Sequence, residues 1–160
     1  MLRLFPALAL LAALLLSGTS AARDVLTGPA RVLDGDTIEV RGQRVRLHGI
    51  DAPESTQMCL DAAGRAYGCG RVATEVLAAG TGRGSVDCRI RDIDRYGRLV
   101  AVCYRNGSDL NAWMVSQGHA LAYRRYGHDY VAHEDAARAR RLGIWQGRFV
   151  APWDWRRGVR

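Results

Sequence analysis

The sequence predicts a single domain of the α+β class, a small β-barrel with helices interleaved between its strands. Its 160 residues suffice for one ordinary hydrophobic core and argue against two. Five short runs have the composition or alternation of strands, and three other segments carry apolar residues at helical spacing. With 48% hydrophobic and 24% charged residues, the composition excludes disorder, collagen and coiled coil as overall descriptions.

The strands follow from the local pattern of apolar and polar residues. They are predicted at residues 25–31, 37–40, 44–47, 85–90 and 99–104. Gly28-Pro29 interrupts the first strand, and a turn at residues 41–43 joins the second to the third. The alternation within the third strand places Arg46 on its polar face, close to the loop that follows.

Three helices are predicted from apolar residues that recur every three or four positions. They cover residues 71–79, a short stripe that starts at residue 110 and ends at Gly118, and about residues 130–142. Gly80 and Gly143 end the first and the last of them. The aromatic tail at residues 151–155 is predicted to be turn-like.

The four cysteines are expected to form two disulfides. A zinc site would need a Cys-x-x-Cys pair or closely spaced histidines, and neither occurs. If the first and last residues of the turn at 94–97 face each other, Cys88 lies opposite Cys103 at a separation suited to a disulfide. Cys59 then pairs with Cys69, and each bridge contributes ~2–4 kcal/mol of stability.

The first 22 residues have the pattern of a secretory signal. Arg3 precedes an apolar run over residues 4–16, and Ser20 and Ala22 are the small residues before the expected cleavage site. An uncleaved membrane anchor is the alternative, but the apolar run is shorter than the ~20 residues that a span needs. We expect export to the periplasm or beyond the cell, where disulfides are the default, and a mature domain over residues 23–160.

The charge of the chain gives mild support for a nucleic-acid partner. All 23 basic residues are Arg, against 16 acidic residues, for a formal net charge of +7. Guanidinium groups bind phosphate oxygens in pairs, which favours a polyanion. The use of Arg in place of Lys can equally reflect the base composition of the source genome.

Carboxylates are concentrated in two short stretches that the predicted strand pair brings together. Asp34 and Asp36 precede the second strand, and Asp51 and Glu54 follow the third. Hard cations such as Ca²⁺ bind oxygen ligands from carboxylates and carbonyls, and the proline after Ala52 biases that residue away from helix. Each stretch alone is commonly a turn. Their convergence favours a cation site.

Two arginines flank these acids. Arg46 leads into the second acidic stretch, and Arg98 follows the hairpin turn. Phosphodiester cleavage builds negative charge that fixed guanidinium groups and a divalent cation stabilise, and Glu54 is placed to accept the proton of an attacking water. A surface salt bridge for Arg46 and a solvated turn position for Arg98 are the structural alternatives.

Three motifs in register resemble the thermonuclease family, whose type member is staphylococcal nuclease. They are VLDGDT at residues 32–37, RLHGIDAPE at residues 46–54 and DRYGR at residues 94–98. Residues 110–118 and 142–145 are similar to the later helices of that family, so the resemblance spans about residues 24–146. It implies a five-stranded OB-fold β-barrel with three helices. It also implies a Ca²⁺-dependent nuclease that cleaves DNA and RNA with low base specificity and leaves 3′-phosphate ends.

The resemblance also implies a metal site. By motif position, Asp36 and Asp51 are the carboxylate ligands of Ca²⁺, and Ala52 contributes its backbone carbonyl. Asp34 supports the site without being a direct ligand. The type member has Thr at the position of Ala52, which leaves the carbonyl unchanged.

The remaining site residues are implied in the same way. Glu54 corresponds to the water-positioning general base, and Arg46 and Arg98 correspond to the pair that holds the reacting phosphate. Tyr96 and Tyr123 are expected to line the nucleotide pocket. Because the segment around Tyr123 differs in length from the family pattern by about a residue, packing of Tyr123 or Tyr126 into the barrel is an alternative with at least equal weight.

Two other functions need to be weighed. A catalytically silent OB-fold module would bind single strands through basic grooves and aromatic residues, without the acids. An exported Ca²⁺-stabilised structural or adhesion domain would not need Arg46 and Arg98 beside the acids. We therefore expect DNA and RNA as substrates, and a monomer with no stable protein partner and no membrane association after signal cleavage.

Overall fold

The computed structural model describes residues 25–160, and the signal expected at residues 1–22 lies outside them. Within the described part, ten strands alternate with four α-helices. The strands are β1 (Val25–Val32), β2 (Thr37–Val40), β3 (Gln43–Leu47), β4 (Ile50–Asp51), β5 (Cys59–Leu60), β6 (Ala66–Tyr67), β7 (Ser85–Ile93), β8 (Leu99–Arg105), β9 (Ser108–Asp109) and β10 (Leu121–Ala122). The helices are α1 (Cys69–Thr81), α2 (Leu110–Ser116), α3 (Val131–Ala139) and α4 (Pro152–Trp155), with a 3-10 turn over Gly143–Gln146.

Five of the strands close into a barrel. The order is β3-β2-β1-β7-β8 with antiparallel neighbours, and β8 returns to pair with β3 in parallel. This closed five-stranded barrel confirms the predicted α+β class and the OB-fold architecture. The helix count differs from the expected three, because the tail forms α4 instead of a turn. Pro152 occupies the first helical position there, where its fixed φ favours a helix start.

The first strand is continuous, although a break was predicted at Gly28-Pro29. Residues 25–29 pair with β7, whereas residues 30–32 pair with β2. Gly28-Pro29 therefore marks the point where β1 stops pairing with β7 and begins to pair with β2. Pro29 is tolerated at such a point because the lack of an N–H costs least where strand pairing changes.

The core fills the barrel and the space beneath the helices. Its fully buried side chains include Ile38, Val40, Val45, Leu47, Leu77 and Met114. The buried amide of Asn111 links α2 to the barrel, since it donates to the His48 carbonyl oxygen (2.9 Å) and accepts from the Cys103 N–H (3.1 Å). Among residues 25–160, no helix has the length and apolar character needed to cross a membrane.

Both predicted disulfides are present, and every cysteine is paired. Cys59 and Cys69 join β5 to the start of α1, with their Cα atoms 5.6 Å apart. Cys88 and Cys103 face each other across β7 and β8, with their Cα atoms 4.0 Å apart. The second pairing agrees with the hairpin register predicted from the sequence.

The hairpin reaches that register by a route that the sequence did not indicate. Asp94 donates its N–H to the carbonyl oxygen of Arg98 at 2.9 Å, so the strands pair one residue away from the expected match of Asp94 with Gly97. An irregularity between Ile90 and Asp92 then shifts the register by one residue. The cysteine pair therefore lies opposite as predicted because two displacements of one residue cancel.

Candidate active site

A cleft of about 1150 Å³ gathers the predicted polar residues. Its walls come from the segment before β2, the loop after β4, the β7–β8 turn, the segment after β10 and the C-terminal tail, residues 151–160. Its lining includes Asp34, Asp36, Arg46, Ala52, Glu54, Tyr96, Arg98 and Tyr123. Asp51 lies beneath the lining and is fully buried.

Asp36 connects the two acidic stretches. Its backbone carbonyl accepts a hydrogen bond from the Leu47 N–H at 2.8 Å, which fixes the segment before β2 against the end of β3. Its Oδ2 accepts from the Ala52 N–H at 2.9 Å, and its Oδ1 accepts from the Thr37 hydroxyl at 3.0 Å. The side chain is thereby held beside the loop that follows β4.

Arg46 spans the two buried carboxylates. Its Nη1 lies 2.7 Å from Oδ2 of Asp36, and its Nη2 lies 2.9 Å from Oδ1 of Asp51. The alternation of β3 explains the placement, since Val45 and Leu47 on either side are buried in the core. The partners of Arg46 are therefore the two acids that the sequence pattern predicted would converge.

Asp51 is the most enclosed charge in the cleft. It lies in β4, paired with Leu121 of β10, and has no solvent exposure. Burial raises the pKa of Asp51, while the hydrogen bond from Arg156 opposes that rise. Its ionised form therefore depends on the cations around it.

Asp34 shapes the entrance to β2. Its Oδ1 accepts a hydrogen bond from the Asp36 N–H at 3.0 Å, closing a turn between them. Burial, together with the neighbouring charge of Asp36, raises the pKa of Asp34 to about 6. Asp34 thus contacts the backbone of Asp36, and its supporting role stays a prediction.

Arg98 and Tyr96 form the wall contributed by the hairpin turn. The Arg98 Nε donates to Oδ2 of Asp94 at 2.7 Å, and the guanidinium lies 5.6 Å from the centre of the Tyr96 ring. Tyr96 is 68% exposed. Arg98 thus lines the same cleft as Arg46, but its ion pair is with Asp94 instead of the buried acids.

Arg156 is a site residue that the sequence reasoning missed. Its Nη2 lies 2.7 Å from Oδ2 of Asp51 and its Nη1 3.1 Å from Oδ1, so the contact is bidentate. The same Nη1 donates to Oε1 of Glu54 at 2.6 Å. These partners are 105 and 102 residues away in the chain, so no local pattern could have indicated the contact.

Tyr123 lies at the cleft, outside the barrel core. Its ring stacks on Trp153 of α4 with centroids 5.6 Å apart, and it meets Tyr126 edge-on at 5.2 Å. The alternative that Tyr123 packs into the barrel is therefore wrong. Trp153, against which Tyr123 stacks, belongs to the C-terminal tail.

The oxygen donors of the cleft fit a hard divalent cation. Across residues 25–160, no group of three or more His, Cys, Asp or Glu side chains is close enough to form a metal cluster by itself. Two carboxylates, Asp36 and Asp51, do lie together next to the backbone of Ala52. Carboxylate and carbonyl oxygens are the ligands that hard divalent cations prefer.

Comparisons with known proteins identify the family of the chain. Residues 44–147 match the family described as staphylococcal nuclease homologue. The micrococcal nuclease of Shigella flexneri is 40% identical over 145 residues, which cover 79% of this chain and 78% of the relative. An uncharacterized endonuclease of Escherichia coli O157:H7 is 36% identical over 134 residues, covering 79% of this chain and 81% of the relative.

A third relative carries a different kind of name. The succinoglycan biosynthesis protein ExoI of Rhizobium meliloti (strain 1021) is 38% identical over 141 residues, which cover 86% of this chain and 74% of the relative. Because the family match extends over more than half of the chain and the relatives align along most of their length, the chain belongs to the staphylococcal nuclease homologue family.

Proposed function

We propose that this chain is a Ca²⁺-dependent nuclease that hydrolyses the phosphodiester bonds of DNA and RNA with low base specificity. The observation that carries the proposal is Arg46 spanning Asp36 and Asp51 within a cleft that Glu54 and Arg98 also line. A catalytically silent binding module does not need these acidic and arginine side chains together in one cleft. Relatives named nuclease and endonuclease support the same conclusion.

The two arginines bind the scissile phosphate. Arg46 is held in place by its two carboxylate contacts, and Arg98 is held by Asp94, so neither guanidinium needs large reorganisation. Donors fixed in this way stabilise the negative charge that develops on the non-bridging oxygens. Tyr96 and Tyr123 then contact the sugar or base on the rims of the cleft.

Glu54 is the general base. It accepts a proton from a water molecule whose oxygen forms the new bond to phosphorus. The bond between phosphorus and the 5′ oxygen breaks, and that oxygen takes up a proton from solvent. The products carry a 3′-phosphate and a 5′-hydroxyl.

In this proposal the Ca²⁺ ion is held by Asp36, Asp51 and the carbonyl of Ala52. Asp34 supports Asp36 by accepting a hydrogen bond from its backbone N–H. When bound, the ion supplies positive charge beside the phosphate and lowers the barrier for attack. All of the proposed ligands are oxygens, which favours Ca²⁺ over metals that prefer sulfur or nitrogen.

We further propose that the protein is exported and works as a monomer. The signal pattern at residues 1–22 and the two disulfides support export, since disulfides persist in oxidising compartments.

The test is digestion of plasmid DNA and of RNA by the purified protein. We expect cleavage of both with Ca²⁺, loss of activity in excess EGTA and product ends that carry 3′-phosphate. Asp51→Asn is the inactive control. Tight binding of single strands without cleavage would favour the silent module instead, and 5′-phosphate ends would contradict the proposed bond cleavage.

A further inference from the structure

The C-terminal tail places a positive charge on the carboxylates proposed to bind the cation. Arg156 lies beyond the region that matches the family, which ends at residue 147. Its guanidinium contacts both oxygens of Asp51 and one oxygen of Glu54, at 2.6 to 3.1 Å. The tail therefore enters the site from outside the segment that carries the family motifs.

The tail is fastened to the body of the domain. Pro152 is buried and Trp153 stacks on Tyr123. Within the tail, the backbone carbonyl of Asp154 accepts hydrogen bonds from the N–H groups of Arg157 and Val159. The end of α4 is thereby directed over the cleft. The Arg156 side chain remains 41% exposed, whereas Asp51 is fully enclosed. The guanidinium can thus move outward into solvent, but the carboxylate has no such freedom.

A guanidinium in this position competes with a divalent cation. Oδ1 of Asp51 already accepts from Arg46 and Arg156, and Oδ2 accepts from Arg156. A cation that uses these oxygens stands within a few ångströms of the guanidinium. Like charges at that distance repel strongly in a partly buried site. The cation and the Arg156 contact therefore exclude each other. Arg46 contacts only one oxygen of each carboxylate, so it leaves Oδ2 of Asp51 and Oδ1 of Asp36 to the cation.

We infer that Arg156 is a resident counter-ion of Asp51 and Glu54, and that a divalent cation binds by displacing it. The tail thereby sets the cation concentration at which the site fills, because the cation binds only the fraction of molecules in which the guanidinium has left. This inference rests on the proposed cation site at Asp36 and Asp51.

The test is calorimetric titration of the purified protein with Ca²⁺, without nucleic acid. Arg156→Gln is compared with Arg157→Gln, which removes the same charge one residue later from a side chain that pairs with Asp154. We expect Arg156→Gln to bind Ca²⁺ at least about tenfold more tightly than the wild type. Arg157→Gln should stay within about twofold of the wild type. Equal or weaker binding by Arg156→Gln overturns the inference.

A second variant guards against loss of folding. If Arg156→Gln unfolds below the titration temperature, Arg156→Lys retains a positive charge but cannot span both oxygens of Asp51. We expect it to bind Ca²⁺ at least about threefold more tightly than the wild type, and an unchanged affinity overturns the inference.

The titration also separates this inference from the proposed function. Asp51→Asn identifies the binding that belongs to the site. If the wild type binds Ca²⁺ through Asp51 and Arg156→Gln binds it equally, the role of Arg156 fails and the proposed cation site stands. If no protein binds Ca²⁺ through Asp51, both fail.

Discussion

Gly70, in the first turn of α1, lies against the backbone of Glu54 so closely that a Cβ atom on Gly70 would stand 1.6 Å from the Glu54 carbonyl oxygen. The same atom would lie 2.5 Å from the Glu54 carbonyl carbon. No side chain fits between these two backbones, so α1 and the loop that carries Glu54 can approach this closely only with glycine. The disulfide at Cys69 fastens the helix at the same point.

We expect Gly70→Ala to displace the Glu54 loop and lower kcat by about 10²-fold, since a shift of about 1 Å at a reacting group has that effect. Steady-state cleavage of DNA at saturating Ca²⁺ measures it. Gly68→Ala is the matched control, because its nearest neighbour would be at an ordinary 3.8 Å. Equal activity of the two variants would contradict this contact.

Replacing Arg46 should remove much of the catalysis. Arg46→Ala takes away the donor proposed to bind the phosphate and the bridge between Asp36 and Asp51, so we expect kcat to fall by about 10²–10³-fold. Arg31→Ala is the control, because Arg31 is exposed and pairs with Glu39 on the sheet. Full activity of Arg46→Ala would exclude Arg46 from the reaction.

The disulfide between Cys88 and Cys103 should stabilise the barrel. Both residues are fully buried between β7 and β8. We expect the double variant Cys88→Ala, Cys103→Ala to lose about 2–4 kcal/mol in the free energy of unfolding, measured in urea. A thiol titration of the unreduced, unfolded wild type should find no free thiol. Detection of reactive thiols would show that the bridges do not form in solution.

His119 should destabilise the fold as the solution becomes mildly acidic, in opposition to Asp34, whose raised pKa of about 6 favours the folded state over the same range. Burial lowers the pKa of His119 below its ordinary value of 6.5. The unfolded chain therefore takes up the proton of this histidine first as the pH falls through 6.5. The contribution of His119 to the free energy of unfolding decreases until the folded histidine is protonated as well. Urea unfolding at pH 7.5 and pH 5.5 measures the loss.

His119→Gln should reduce this loss, whereas His133→Gln at an exposed position of α3 should leave it unchanged. His48 contributes in the same direction, because burial also lowers its pKa, so part of the loss should remain in His119→Gln. An identical loss in the wild type and in His119→Gln would exclude His119 as its source.

Much of the fold could be predicted because its signals are local. The alternation of β3 indicated which of its side chains enter the core, and the same alternation put Arg46 beside the acids. Details that depend on neighbouring strands could not be predicted. The register shift between Ile90 and Asp92, for example, is a property of how β7 pairs with β8.

The sequence by itself determined the barrel and the helices of its body, because strand and helix periodicity act over a few residues. Its resemblance to the thermonuclease family implied most of the polar residues that line the cleft. Only the tertiary structure decided which arginine side chains contact the buried carboxylates. Arg156 reaches Asp51 across 105 residues of chain because Pro152 starts a short helix and Trp153 packs on Tyr123. Because this contact depends on several packing interactions between distant segments, no single stretch of sequence encodes it.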